Sequence, residues 1–149
     1  VSEAVVDPER YTVTRTIRIC ASIGTVWDAV TRPEHISRWF GETARFDSFA
    51  VGAGGAFGWA AHGEFPVRIE EIDEPGVFAF TWGAPGVPIE LGNSTTARFT
   101  LASDGDITTL TVTETGFERL RQPLASLEDN RDGWNSELDE LVAYVESLA

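Results

Sequence analysis

Residues 124–148, LASLEDNRDGWNSELDELVAYVESL, decide the fold. Trp134, Leu138, Leu141, Val145 and Leu148 recur at the i, i+4, i+7, i+11, i+14 spacing of one helical face. Asn135, Glu137, Asp139, Glu140 and Glu146 fill most of the remainder, which leaves one apolar stripe to bury. Ser126 followed by Asp129 resembles a capping box and puts the helix start there. Glu128 and Asp129 then sit at the positive end of the helix dipole. Gly133, inside the helix, costs about 1 kcal/mol relative to alanine. Its place beside Trp134 predicts either a close approach of another element or a kink. A helix with so wide a stripe requires a broad apolar surface, and the rest of the chain supplies one.

Residues 1–10 are acidic and unpatterned and read as a loose lead-in. Residues 11–20 alternate, with Tyr11, Val13, Arg15, Ile17 and Ile19 on one parity, which predicts a first strand. Ser22 caps a short helix carrying Val26, Trp27 and Val30. Pro33 opens a second helical turn with Ile36, Trp39 and Phe40, ended by Gly41. From Thr43 the period becomes two. Phe46 and Phe49 mark a second strand, closed by the glycine-rich turn at 52–55, and Phe57, Trp59 and Ala61 a third. Phe65, Val67 and Ile69 mark the fourth and Phe78, Phe80 and Trp82 the fifth. Ala97, Phe99 and Leu101 belong to the sixth, and Leu110, Val112 and Glu114 to the seventh. Six successive strands with short turns are antiparallel. The expected fold is α+β: a curved antiparallel sheet of about seven strands, in the order β-α-α-β6-α, wrapped around the long C-terminal helix.

The chain has 149 residues, enough for one domain with a real core. Its 42% hydrophobic and 23% charged residues are ordinary for a soluble globule. No apolar run is long enough to cross a membrane as a helix, and no leader pattern opens the chain; a soluble, cytoplasmic protein is expected. A single Cys20 excludes an internal disulfide. With only His35 and His62 beside it, the usual zinc cage is not expected, nor is any other cofactor. Eleven basic against 24 acidic residues give a net charge of −13, a field that repels nucleic acid and anionic membranes.

Particular residues add a resemblance. VWDAVTRPEHISRWF (26–40), FAFTW (78–82), TARFTL (96–101), TLTVTETGF (109–117) and GWNSELDELVAYVESL (133–148) resemble the START-like, or SRPBCC, superfamily of helix-grip folds. Within it the chain is most similar to the branch named for homologues of the heat-shock chaperone ATPase activator. The resemblance runs from about Tyr11 to the end, in family order. It implies a cavity between helix and sheet for a small hydrophobic or amphipathic molecule. It implies no shared catalytic set, since relatives range from cyclase domains to lipid carriers.

Site residues must be argued separately from fold. Trp39, Phe57, Trp59, Phe80, Trp82, Phe99, Trp134 and Leu138 either line a pocket against the final helix or simply fill the core. Phe117 follows Gly116 at the entrance to that helix; Gly116 and Gly133 would let a cavity mouth open. Strict alternation puts Glu114 on the inner face, where a carboxylate is costly unless it is protonated or paired with a basic group; otherwise the strand ends and Glu114 reaches solvent. Asn130, one turn before Trp134, bonds either a ligand or Glu114, or is an ordinary helix-start residue. His62 falls on the parity opposite Phe57 and Trp59 and reads as an exposed turn residue, and His35 as a surface one. Arg68 with Glu70 reads as a solvated pair.

Three functions remain open at this point. A non-catalytic ligand-binding protein comes first. A polyketide cyclase- or dehydratase-like enzyme with Glu114 as proton acceptor and Asn130 as orienting donor comes second. A chaperone-interaction module with an unknown protein partner comes third.

Overall fold

A computed structural model describes residues 2–148. Eight strands form one sheet: β1 (Val5–Asp7), β2 (Thr12–Ile19), β3 (Thr43–Phe46), β4 (Gly54–Trp59), β5 (Gly63–Asp73), β6 (Val77–Gly83), β7 (Ser94–Asp104) and β8 (Ile107–Thr115). Three α-helices, α1 (Ile23–Thr31), α2 (Pro33–Trp39) and α3 (Pro123–Glu146), complete the order. The spatial order is β1-β2-β8-β7-β6-β5-β4-β3, and every neighbouring pair is antiparallel.

The eighth strand is the one not expected. Val5–Asp7 pairs with Thr14–Thr12, so the lead-in is tied to the sheet rather than loose throughout; Val1 lies outside the described residues. The acidic composition of residues 1–10 hid a three-residue edge strand too short to show alternation. Two other boundaries moved. Phe49 belongs to a turn beyond β3 and is 45% exposed. Helix α3 begins at Pro123, one turn before Ser126, with Pro at its first position and no side-chain cap on Gln122. Pro supplies a pre-set φ there and has no N–H to leave unpaired, so the cap box was unnecessary.

Alternation on the strands sends Val13, Ile17, Ile19, Val67, Ile69, Phe78, Phe80, Ala97, Phe99, Leu110 and Val112 into a common core. Helix α3 lays Leu127, Trp134, Leu138, Leu141 and Val145 on it. Burying each large side chain of this kind contributes about 1.5–3 kcal/mol. Helices α1 and α2 close one side, where Trp27 meets Phe78 edge-on at 6.4 Å and Trp39 meets Phe99 at 6.5 Å. The glycine turn before β4 has a steric reason: a Cβ on Gly55 would collide with the carbonyl oxygen of Arg45 on β3.

One charged residue shares the core parity of β2. Arg15 is buried, and its guanidinium donates to the carbonyls of Trp134 (3.2 Å) and Asn135 (2.8 Å), to Asp139 Oδ1 (2.6 Å) and to the Ser2 carbonyl (3.1 Å). A buried cation is tolerated only when its donors are matched in this way. Arg15 thereby fixes the middle of α3 over β2.

Candidate functional site

The site is built where α3 crosses β6, β7 and β8. On β8, Glu114 continues the inward parity of Leu110 and Val112 and pairs with Ala97 of β7. Two residues before Ala97, on the same face, stands Thr95, and Thr95 pairs with Trp82 of β6. Asn130 and Trp134 lie one turn apart on α3 and face the same point. The result is a carboxylate with no exposed surface and four surrounding side chains. Trp134 Nε1 donates to Glu114 Oε1 at 2.8 Å, and Trp82 Nε1 to Oε2 at 2.9 Å. Asn130 Nδ2 bridges both oxygens at 2.9 and 3.0 Å, and the Thr95 hydroxyl bonds Oε2.

Glu114 is therefore inside, as alternation requires, and does not reach solvent. A basic partner, one of the two alternatives for an inward Glu114, is not what it has: its partners are uncharged donors. Two donors from the sheet, Trp82 and Thr95, and two from the helix, Asn130 and Trp134, form a donor shell around the acceptor oxygens. Asn130 takes the Glu114 bond among the possibilities open to it. One side chain thereby bolts the helix to the sheet through hydrogen bonds from both.

The aromatic surface under α3 is occupied by the protein itself. Phe40, at the end of α2, stacks on Trp134 at 5.5 Å and 18°, and lies within 5.4–6.4 Å of Phe57, Trp59, Phe80 and Trp82. Sequence reasoning placed Phe40 only as the last apolar residue of a short helix; its aim into the sheet depends on the α2–β3 turn, which carries no pattern. The remaining space is two hollows, each open to solvent. The first, about 140 Å³, is lined by Phe40, Trp59, Trp82, Asn130, Gly133, Trp134 and Glu137. The second, about 290 Å³, lies beyond Trp82 and Asn130, and Phe65, Thr95, Phe117 and Asp129 are among its walls. Trp82 and Asn130 belong to both and form the partition.

Of the residues singled out in the sequence, Trp59, Trp82, Asn130 and Trp134 come together at the smaller hollow and Phe117 at the larger. Glu114 sits behind the partition. Phe57, Phe80, Phe99 and Leu138 are buried in the core behind these walls. Trp39 is also buried, its indole N–H held by the Ala29 carbonyl at 2.8 Å. Gly133 neither admits a neighbour nor marks a close approach: a Cβ there meets nothing within 4 Å, because it would point into the open hollow.

Glu137 was not singled out, since its place among the polar residues of α3 gave no signal. Asn130, Gly133, Trp134 and Glu137 follow the i, i+3, i+4, i+7 rule and share one helix face. Half-burial against the tryptophans raises the Glu137 carboxyl from 4.5 to about 7, with the neighbouring Glu140 carboxylate adding to it. His35, read as a surface residue, is half-buried with Nδ1 2.6 Å from the Tyr144 hydroxyl, and His62 is exposed in a turn. No group of three or more metal-ligating side chains occurs among the described residues. Other concavities include one of about 410 Å³ beside Trp27, Phe46 and Phe49, a groove of about 1,050 Å³ between β2 and α3, and one of about 380 Å³ along Thr43, Trp59 and Glu64.

With this geometry, the sheet gripping one helix through a buried carboxylate, residues 20–146 match the activator of Hsp90 ATPase homolog 1-like protein family. The chain belongs to that family. No curated protein matches it in sequence. Among solved structures it is similar to protein MLL2253 of Mesorhizobium loti, with TM-score 0.79, 19% identity, and coverage of 93% of this chain and 98% of that one. It is similar to CalU16 of Micromonospora echinospora (TM-score 0.71, 23% identity, coverage 96% and 82%). It is also similar to DynU16, a protein of the dynemicin biosynthetic locus (TM-score 0.75, 23% identity, 91% of this chain). The chain spans 47% of the DynU16 chain. These likenesses show a shared fold, an antiparallel sheet gripping a long C-terminal helix. No helix of the described residues is long and apolar enough to cross a membrane.

Proposed function

We propose that the protein binds a small hydrophobic or amphipathic molecule at the two hollows flanking Trp82 and Asn130, without transforming it. The observation that carries this reading is the partition. Two hollows, of about 140 and 290 Å³, share one indole and one amide side chain, those of Trp82 and Asn130, as a common wall. Together they reach the lower part of the range of about 300–1,000 Å³ usual for small-molecule sites. A ligand seats its apolar body on Trp59, Trp82 and Trp134 and turns a polar end toward Asn130.

The absence of turnover is argued from Glu114. A general base must reach the proton it abstracts. Every Glu114 contact is to a protein donor, and the carboxylate is shut off from solvent. That arrangement suits a structural and electrostatic role better than the cyclase-like chemistry otherwise open to this fold. The single exposed thiol of Cys20 supports a reducing compartment such as the cytoplasm.

Native mass spectrometry of the freshly purified, undenatured protein tests the reading. An adduct of a few hundred daltons, lost on Trp82→Ala, is expected. Bare protein, with no binding to a library of small amphipathic compounds, would overturn it.

A further inference from the structure

The smaller hollow has an unusual composition for an apolar pocket. Its walls are three indoles and one phenyl ring, and its only polar side chains are Asn130 and Glu137. One Asn130 amide N–H is engaged by Glu114, bifurcated between its two oxygens. Among the described residues nothing basic acts on Glu137; its one charged neighbour is another carboxylate, Glu140. Behind the rings, Trp82 and Trp134 both donate their N–H to the Glu114 carboxylate. Donation of the N–H pushes electron density back into each indole and makes its face more negative. The ring faces and the Glu137 carboxylate thus carry the same sign of potential.

We propose that the hollow is a receptor for an organic cation: an ammonium head group, of which trimethylammonium is the best-fitting form, held against the half-buried rings of Trp59 and Trp82 over the buried Trp134, with Glu137 as its counter-ion. This rests on the reading of the hollow as a ligand site and names the class of ligand. Attraction of a cation to an indole face is electrostatic, and indole is the strongest of the aromatic side chains in this respect. A neutral ligand would cover the Glu137 carboxylate without compensating it, and an anion would be repelled. A space of about 140 Å³ holds about five water-sized groups at about 30 Å³ each, which matches a compact head group. The net charge of −13 draws cations toward the surface from farther out.

The test uses the intact protein at pH 8, choline, and 3,3-dimethylbutan-1-ol, the neutral molecule in which carbon replaces the nitrogen. Binding is followed through the indole N–H signals of the five tryptophans. Choline is expected to bind at least tenfold more tightly than its neutral isostere, shifting Trp59, Trp82 and Trp134. In Glu137→Gln, which keeps the shape and removes the charge, the preference is expected to fall to threefold or less. In Trp82→Phe, choline affinity falls while Trp27 and Trp39 keep their signals, which shows the fold intact. Equal or tighter binding of the isostere overturns the cation assignment and leaves the ligand-binding reading standing. A preference unchanged in Glu137→Gln also overturns it. If neither compound binds, the cation assignment fails; if a series of larger neutral amphiphiles also leaves the indole signals unmoved, the ligand-binding reading fails with it.

Discussion

Trp82 on the sheet and Trp134 on α3 donate their indole N–H groups to opposite oxygens of one buried carboxylate, that of Glu114, at 2.9 and 2.8 Å. Helix and sheet are thereby joined at one point through uncharged donors, and the two rings are held at fixed angles around the space beside them. The rigidity of the candidate site and the stability of the fold therefore share one residue.

Substitution of that residue separates the two roles. Glu114→Gln replaces one oxygen with an NH₂ group facing an indole N–H, which can only donate. That bond is lost and the buried N–H is left unpaired, which costs about 1–3 kcal/mol. A net loss of that size is expected, which lowers the melting temperature by about 2–12 °C for a chain of this size. Thermal unfolding by circular dichroism checks it. A variant as stable as the parent would show that the carboxylate does not hold helix to sheet.

Gly133 offers the opposite direction. A Cβ there meets nothing within 4 Å, and the residue is inside a helix. Gly133→Ala is expected to stabilise the protein by about 0.5–1 kcal/mol through helix propensity alone. Gly133→Leu projects into the smaller hollow and is expected to leave the fold intact while abolishing binding there. Denaturant melts and ligand titration of both variants measure the two effects independently.

Stability also depends on pH through Glu137. Its carboxyl is raised from 4.5 to about 7, first by burial and then by Glu140. Between those values the native protein keeps a proton that the unfolded chain has released. The contribution of Glu137 to stability is therefore full below about pH 4.5 and is lost as pH rises through about 7. Glu137→Gln is expected to match the parent at pH 4.5 and to exceed it at pH 8. The carboxylate is partly exposed, so solvent screening holds the difference to about 1 kcal/mol. Urea unfolding at the two pH values measures it; a variant less stable at pH 8 would contradict the assignment.

Arg15 gives a fourth expectation. Its guanidinium is buried and reaches the carbonyls of Trp134 and Asn135 as well as Asp139. Arg15→Met keeps the packing of the stem but leaves those acceptors without their donors, and about 2–3 kcal/mol of stability should be lost. Arg15→Lys should recover only part of it, because one ammonium cannot span the same acceptors. Denaturant melts of both variants decide the order.

How much of this was readable beforehand follows from the physics of each signal. Periodicity marked α3 and the inward side of each long strand, Glu114 included, because burial of one face leaves a repeat of 3.6 or 2. The three-residue β1 left none. Proximity in space was legible only where two residues shared an element: Asn130 and Trp134 on α3 could be paired from spacing. That Trp82, from a strand 32 residues earlier than Glu114, closes the same carboxylate depends on strand order and register. Phe40 and Glu137 were missed for the same reason, since each acts on the site through a neighbour distant in the chain.

The most direct measurement is a saturable titration of the protein with an amphipathic small molecule, read at the five indole N–H resonances in a ¹⁵N correlation spectrum. Movement of Trp59, Trp82 and Trp134 together, with Trp27 and Trp39 still, is the expected result. Perturbation of Trp27 instead, in the separate concavity beside Phe49, or no saturable shift in any of the five, would contradict a ligand site between α3 and the sheet.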